Sequence, residues 1–208
     1  MKIRKILKRL LQLHHKGEPS TLIRIKRLLK DLSSPENKIS NLIQVVGTNS
    51  KHSLIASARE IFETAGYTCN VNISPSLRSF NERYYFSGKY ISDEKLSDLL
   101  IEVEQVNNNK SISFHEIITA AWILHASRKK ADISIVEAGA LFRLDSSNVF
   151  QKNICSVVMP IGIDHLEFLK EGTIDEIIYE KCSHLLSGSK IFVSEQKNDV
   201  LEKIKKNI

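Results

Sequence analysis

The seven residues Gly47-Thr48-Asn49-Ser50-Lys51-His52-Ser53 have the layout of a phosphate-binding loop. An apolar run, Leu42 to Val46, precedes them and an amphipathic run from Ser53 to Ala65 follows, which puts the loop where a strand turns into a helix. In that setting backbone N–H groups cradle phosphate oxygens, a lysine meets the β- and γ-phosphates and a hydroxyl reaches Mg²⁺. Lys51 and Ser53 supply the last two groups. Ser50 stands where such loops carry glycine before the lysine, so the heptad taken alone also reads as an ordinary strand-to-helix turn.

The elements that must position this loop follow from hydrophobic period and capping residues. Helical spacing runs through Ile3, Ile6, Leu7, Leu10 and Leu11, and again through Leu22, Ile25, Leu29 and Leu32 after a Gly17-Glu18-Pro19 turn. Tyr67 to Ile73 reads as a strand and Arg83 to Ile91 as a hairpin turning at Ser87-Gly88. Ser92 opens a helix with Asp93 and Glu94 in its first turn, and Ser113 with Glu116 forms a capping box before another. Strands follow at Asp132–Glu137, Ile154–Met159 and Lys190–Ser194, with helices near 173–186 and 197–206. This alternation predicts an α/β fold with a mostly parallel sheet flanked by helices. Gly47, Glu137 and the Gly162–His165 loop then fall after strands, at the edge where such sheets bind ligands.

Composition bounds the alternatives. The 208 residues are 42% apolar and 26% charged, without an 18-residue apolar run, which excludes a membrane-spanning helix. Cysteines at 69, 155 and 182 form no CxxC pair, so a reducing compartment, the cytoplasm, is expected. The net charge of +6 is concentrated at the start: residues 1–30 hold ten Lys/Arg against Glu18, about +9, leaving about −3 for the rest. A basic amphipathic arm can touch nucleic acid or anionic lipid, or simply pack its stripe on its own domain. No aromatic residue interleaves the charges of residues 2–16, so no DNA partner is expected.

Beyond the heptad, ordered segments resemble one family. Leu13-His14-His15-Lys16-Gly17, Ser74-Pro75-Ser76-Leu77 with Phe80-Asn81-Glu82-Arg83, Ile91-Ser92-Asp93-Glu94, Ser113 to Ala121, Glu137 to Asn148, Pro160 to His165 and Glu180-Lys181 are similar, in order, to motifs of the folylpolyglutamate synthase/dihydrofolate synthase family of Mur ligases. The resemblance implies the P-loop NTPase-like central domain of those ligases, in incomplete form: N-terminal helices at 1–40, a partial ATP-binding domain at 41–208, and no C-terminal domain. It implies ATP and Mg²⁺ as cofactors, and a folate or pteroate carboxylate activated as an acyl phosphate for attack by the amine of glutamate. Gly47 to Ser53 would hold the nucleotide, with Lys51 on its phosphates. Ser53, Glu137 and His165 would surround Mg²⁺, Lys181 matches the lysine whose carbamate helps hold a second metal, and Ser74, Pro75 and Arg83 would lie on the folate side. A separate chain could then supply the missing half.

The family's glycines are replaced at Ser50, His52, Leu141, Phe142 and Ser183, and position 76 lacks its histidine. Side chains where backbone must approach phosphate obstruct binding, and a non-glycine residue at positive φ costs on the order of 1–2 kcal/mol. The alternative reading is therefore a catalytically inactive remnant or binding module that keeps the fold.

Overall fold

The five residues of β1 (Leu42–Val46) are buried without exception, the pattern of a strand inside a parallel sheet covered on both faces. In the computed structural model, which describes residues 2–12 and 21–208, β1 pairs in parallel with β5 (Ile133–Glu137) on one side and β6 (Cys155–Val158) on the other. The full order is β4-β3-β2-β5-β1-β6-β7, with β2 (Cys69–Asn72), β3 (Tyr84–Phe86), β4 (Lys89–Tyr90) and β7 (Lys190–Val193). Only the β3–β4 hairpin end runs antiparallel, and it turns at Ser87 and Gly88, both at positive φ. The motif 13–17 and the turn at residues 17–19 lie outside the described residues.

Helices α1 (Lys2–Gln12), α2 (Ile23–Asp31), α4 (Asp93–Asn107) and α5 (Phe114–Arg128) bury one apolar layer over the sheet. Ser92 caps α4 by accepting from the Lys95 N–H, and Ser113 with Glu116 caps α5 reciprocally, as their sequence pattern requires. Trp122 is fully buried and donates from Nε1 to the Val71 carbonyl at 3.0 Å, fixing α5 on β2. On the opposite face α3 (Lys51–Thr64) sets Ile55 among Ile43, Val45, Val71 and Ile135. At one end α6 (Ile174–Cys182) and α7 (Asn198–Lys205) close a smaller cluster around Val46, Val158 and Phe142.

The basic arm packs on its own domain. Ile3, Ile6 and Leu10 are buried against the α4 layer, and Lys2 and Arg9 pair with Asp98 and Glu104 of α4. A stripe consumed this way is not available to a lipid interface, and no helix among the described residues is long and apolar enough to cross a membrane. Leu10 is fully buried, so Leu10→Ala is expected to lower the unfolding free energy by about 2–5 kcal/mol. Urea denaturation measures this, and a change below about 0.5 kcal/mol would show that α1 is not part of the cooperative core.

Candidate active site at the sheet edge

At the end of β1 the chain must turn within van der Waals contact of β6. A Cβ on Gly47 would lie 2.7 Å from the Met159 Cβ and 2.9 Å from its carbonyl, and φ there is +138°, so no other residue fits without displacing the strand. The loop is then stitched to the segment leaving β6. Thr48 and Asn49 donate their backbone N–H groups to the Pro160 carbonyl at 3.0 and 3.2 Å. The Thr48 hydroxyl donates to the Gly162 carbonyl and accepts from the Gly162 N–H. Below the loop, α3 begins with no side chain capping it and no acidic residue in its first turn, which leaves positive partial charge at its N-terminus.

Two lysines converge on the loop. Lys51 Nζ donates to the Gly47 carbonyl at 2.9 Å, and Lys181 Nζ donates to the same oxygen at 3.3 Å and to the Ala140 carbonyl at 2.5 Å. Lys181 is 2% exposed, and burial, together with the neighbouring Lys51 ammonium, lowers its pKa to about 8. It is held there because Phe142 and Arg143 both donate backbone N–H groups to the Glu180 carbonyl, and the Arg143 guanidinium pairs with the Glu180 carboxylate at 2.7 Å. Glu137, at the end of β5, is also buried, and its Oε1 lies 3.9 Å from Lys51 Nζ. Burial raises its pKa, opposed by the Ser74 N–H on Oε2 and by Lys51.

Beside Glu137 a cleft opens toward α5, lined by Ser74, Arg83, His115, Thr119, Asp145 and Ser146, among others. Arg83 donates from Nη1 to the Ser74 hydroxyl at 3.1 Å, while its buried Nε has no hydrogen-bond partner among the described residues. Asp145 packs so tightly that a Cβ on Gly139 would lie 2.3 Å from its Oδ2. His115, Asp145 and Gly139 were not singled out by motif reasoning. They fall inside resembling segments, but only the fold shows that they face the same space as Arg83.

The structure thus brings together Gly47, Lys51, Glu137 and Lys181, with Ser74 and Arg83 alongside. Ser53 is exposed in the first turn of α3 and Pro75 is exposed beyond Ser74. His165 lies after β6 at φ 54°, and its near partners are Asp164 and Glu167 of its own loop. The replaced glycines differ in consequence. Only Ser50 adopts a left-handed conformation, at φ 62°; His52 is helical, and Leu141, Phe142 and Ser183 are not at positive φ. Phe142 does not intrude on the loop, because its ring is buried in the α6–α7 cluster.

The donors fit a nucleotide with a phosphate-bound divalent cation. Glu137 and the Ser53 hydroxyl are hard oxygen donors, and among the described residues no cluster of three His, Cys, Asp or Glu forms a cage of its own. Mg²⁺ is bound in this sparse way, with phosphates and water completing its shell.

Comparison with known proteins gives the same assignment of the fold. No family model matches the chain. The dihydrofolate synthase/folylpolyglutamate synthase of Bacillus subtilis is 33% identical over 196 residues, covering 91% of this chain and 45% of that protein. A folylpolyglutamate synthase in complex with AMPPCP and folate superposes at a TM-score of 0.90 with 23% identity, covering all of this chain and 52% of that one. The bifunctional enzyme of Yersinia pestis, complexed with AMPPNP and a Mn ion, gives 0.87 at 23% identity, covering 99% and 50%. The chain spans about half the length of the relatives it matches.

Two substitutions test the loop geometry. Ser50→Gly relieves the left-handed serine and is expected to stabilise by about 1 kcal/mol, whereas His52→Gly, in a helical turn, gives no gain. Thermal unfolding of the two single variants checks this, with equal shifts counting against it.

Proposed function

Because the chain belongs to the folylpolyglutamate synthase/dihydrofolate synthase family, we propose that it is the nucleotide-binding part of an ATP-dependent ligase that joins glutamate to a folate or pteroate carboxylate. The observation that carries this reading is the convergence of Lys51, Lys181 and Glu137 at the uncapped start of α3, beside the cleft that holds Arg83. Lys51 leaves the Gly47 carbonyl for the β- and γ-phosphates, and the free N–H groups of the first α3 turn hold their oxygens. Arg83, with an unpartnered Nε in the cleft, draws the substrate carboxylate toward the γ-phosphate. A carboxylate oxygen takes the γ-phosphoryl group, leaving ADP, and the glutamate amine then displaces phosphate to form the amide. Glu137 and Ser53, with His165 on the adjoining loop, are the residues that would hold a Mg²⁺, which would supply positive charge against the transferring phosphoryl group. The cytoplasm, where ATP and reduced thiols are abundant, suits both this chemistry and the free cysteines.

Lys181 supplies a group with chemistry of its own. An amine with a pKa near 8 is partly neutral at mildly alkaline pH, so its nitrogen can attack CO₂, forming a carbamate and releasing a proton. That converts a buried cation into an oxygen donor facing Lys51. Labelled bicarbonate is expected to give a protein carbamate signal by ¹³C NMR that grows as pH is raised through 8 and is missing in Lys181→Met; an unchanged spectrum in that variant rejects the assignment.

A catalytically inactive remnant or binding module is the second reading, favoured by the Thr48 and Asn49 N–H groups being engaged by Pro160, which takes two loop donors away from phosphate. Calorimetry with Mg-ATP is expected to show binding that Lys51→Ala removes. Phosphate release that depends on added dihydropteroate and glutamate separates ligase from binding module; binding without release selects the module, and no binding rejects both.

A further inference from the structure

Gln196 lies between β7 and α7, outside every motif and outside the cleft, yet its side chain is built into the framework of the site. The β6–β7 ladder ends with the Ser194 N–H on the Val158 carbonyl. The next ladder bond would come from the N–H of residue 160, and Pro160 has none. The side-chain amide of Gln196 takes over at that point. Its Nε2 donates to the Met159 carbonyl at 3.2 Å and to the Ser194 hydroxyl at 3.3 Å, and its Oε1 accepts from the Ile161 N–H at 3.0 Å. It thus brackets Pro160 with one donated and one accepted bond, as a backbone residue brackets its opposite number in a parallel ladder.

The bracketed segment is the one from which the phosphate loop hangs. Pro160 gives its carbonyl to the Thr48 and Asn49 N–H groups, and Gly162 exchanges two bonds with the Thr48 hydroxyl. Met159, whose carbonyl Gln196 holds, is also the residue that Gly47 turns against. We propose that Gln196 is a positioning residue for the nucleotide: it fixes residues 159–162, and through their bonds to Thr48 and Asn49 it keeps the first turn of α3 facing the phosphates. The inference rests on the proposed nucleotide-binding reading, and it gives Gln196 no contact with the nucleotide. Without this side chain the Met159 carbonyl and the Ile161 N–H lose the partner that holds them, so the segment relaxes toward water. The loop follows, because both of its tethers end on Pro160.

The test uses the full chain with Mg-ATP as probe. Gln196→Met keeps the length of the side chain and removes both bonds, and calorimetry is expected to show binding weakened by about tenfold. Thr48→Val loosens the same segment from the loop side, so the double variant is expected to bind about as weakly as the weaker single variant, the two losses failing to multiply. Amide exchange followed by NMR, without nucleotide, supplies a readout that general destabilisation does not move: in Gln196→Met the Thr48 and Asn49 N–H groups are expected to speed up by about tenfold more than those of β1. Should Gln196→Met unfold, Gln196→Glu carries the same comparison, because an ionised carboxylate still accepts from Ile161 and cannot donate to Met159. Equal or tighter Mg-ATP binding in the folded variant, losses that multiply, or equal acceleration of loop and β1 amides overturns the role of Gln196 while leaving nucleotide binding in place. Absence of Mg-ATP binding to the wild type overturns the nucleotide-binding reading itself, and the inference with it.

Discussion

Only glycine lets the chain leave β1 and run along the end of β6, since any Cβ at position 47 would collide with Met159. That close approach fixes the path of residues 47–50, and the path aims the Gly47 carbonyl into the space where Lys51 and Lys181 meet. The start of α3, the exit from β6 through Pro160 and Gly162, and the end of α6 are all referenced to this one backbone atom or its neighbours. The site is therefore a property of strand order. With β5 and β6 flanking β1, the loops after all three strands must share one edge.

The electrostatics follow from this packing. Two ammonium groups and one carboxylate are held out of water, with carbonyl oxygens rather than further acids balancing most of the charge. The arrangement carries excess positive charge, which suits polyphosphate; burial first, and the Lys51 charge second, make Lys181 give up its proton more readily than a solvated lysine.

Most of the scaffold was legible in the residues. Leu42–Val46 is too short and too uniformly apolar for a helix, and Ser92 and Ser113 carry their caps in sequence, so these elements lie within a residue or two of expectation. The loop at Gly47 was legible because its signals are local. Burial of Lys181 was not, since in sequence it stands among polar residues, and the Gly47 and Ala140 carbonyls that receive its ammonium are distant along the chain. Phe142, one of the glycine replacements expected to crowd bound phosphate, instead turns its side chain into the α6–α7 cluster, a choice set by partners that are distant in sequence. His115 and Asp145 escaped notice for the same reason: each is unremarkable alone, and their shared cleft exists only after α5 packs beside the loop that follows β5.

The sheet order has a consequence for how the molecule comes to exist. The first two strands made, β1 and β2, cannot pair with each other, because β5 lies between them. Some sixty residues of α-helix and hairpin must therefore be threaded before either strand gains its central neighbour, as β2 ends at Asn72 and β5 starts at Ile133. The contacts that build the pocket are longer still, with a separation of 114 positions from Thr48 to Gly162 and of 134 from Gly47 to Lys181. Loop closure of that span delays its reward until late in folding. Until then, two apolar strands stand with open edges, so a chain emerging from the ribosome spends its most aggregation-prone interval just before the binding edge first forms.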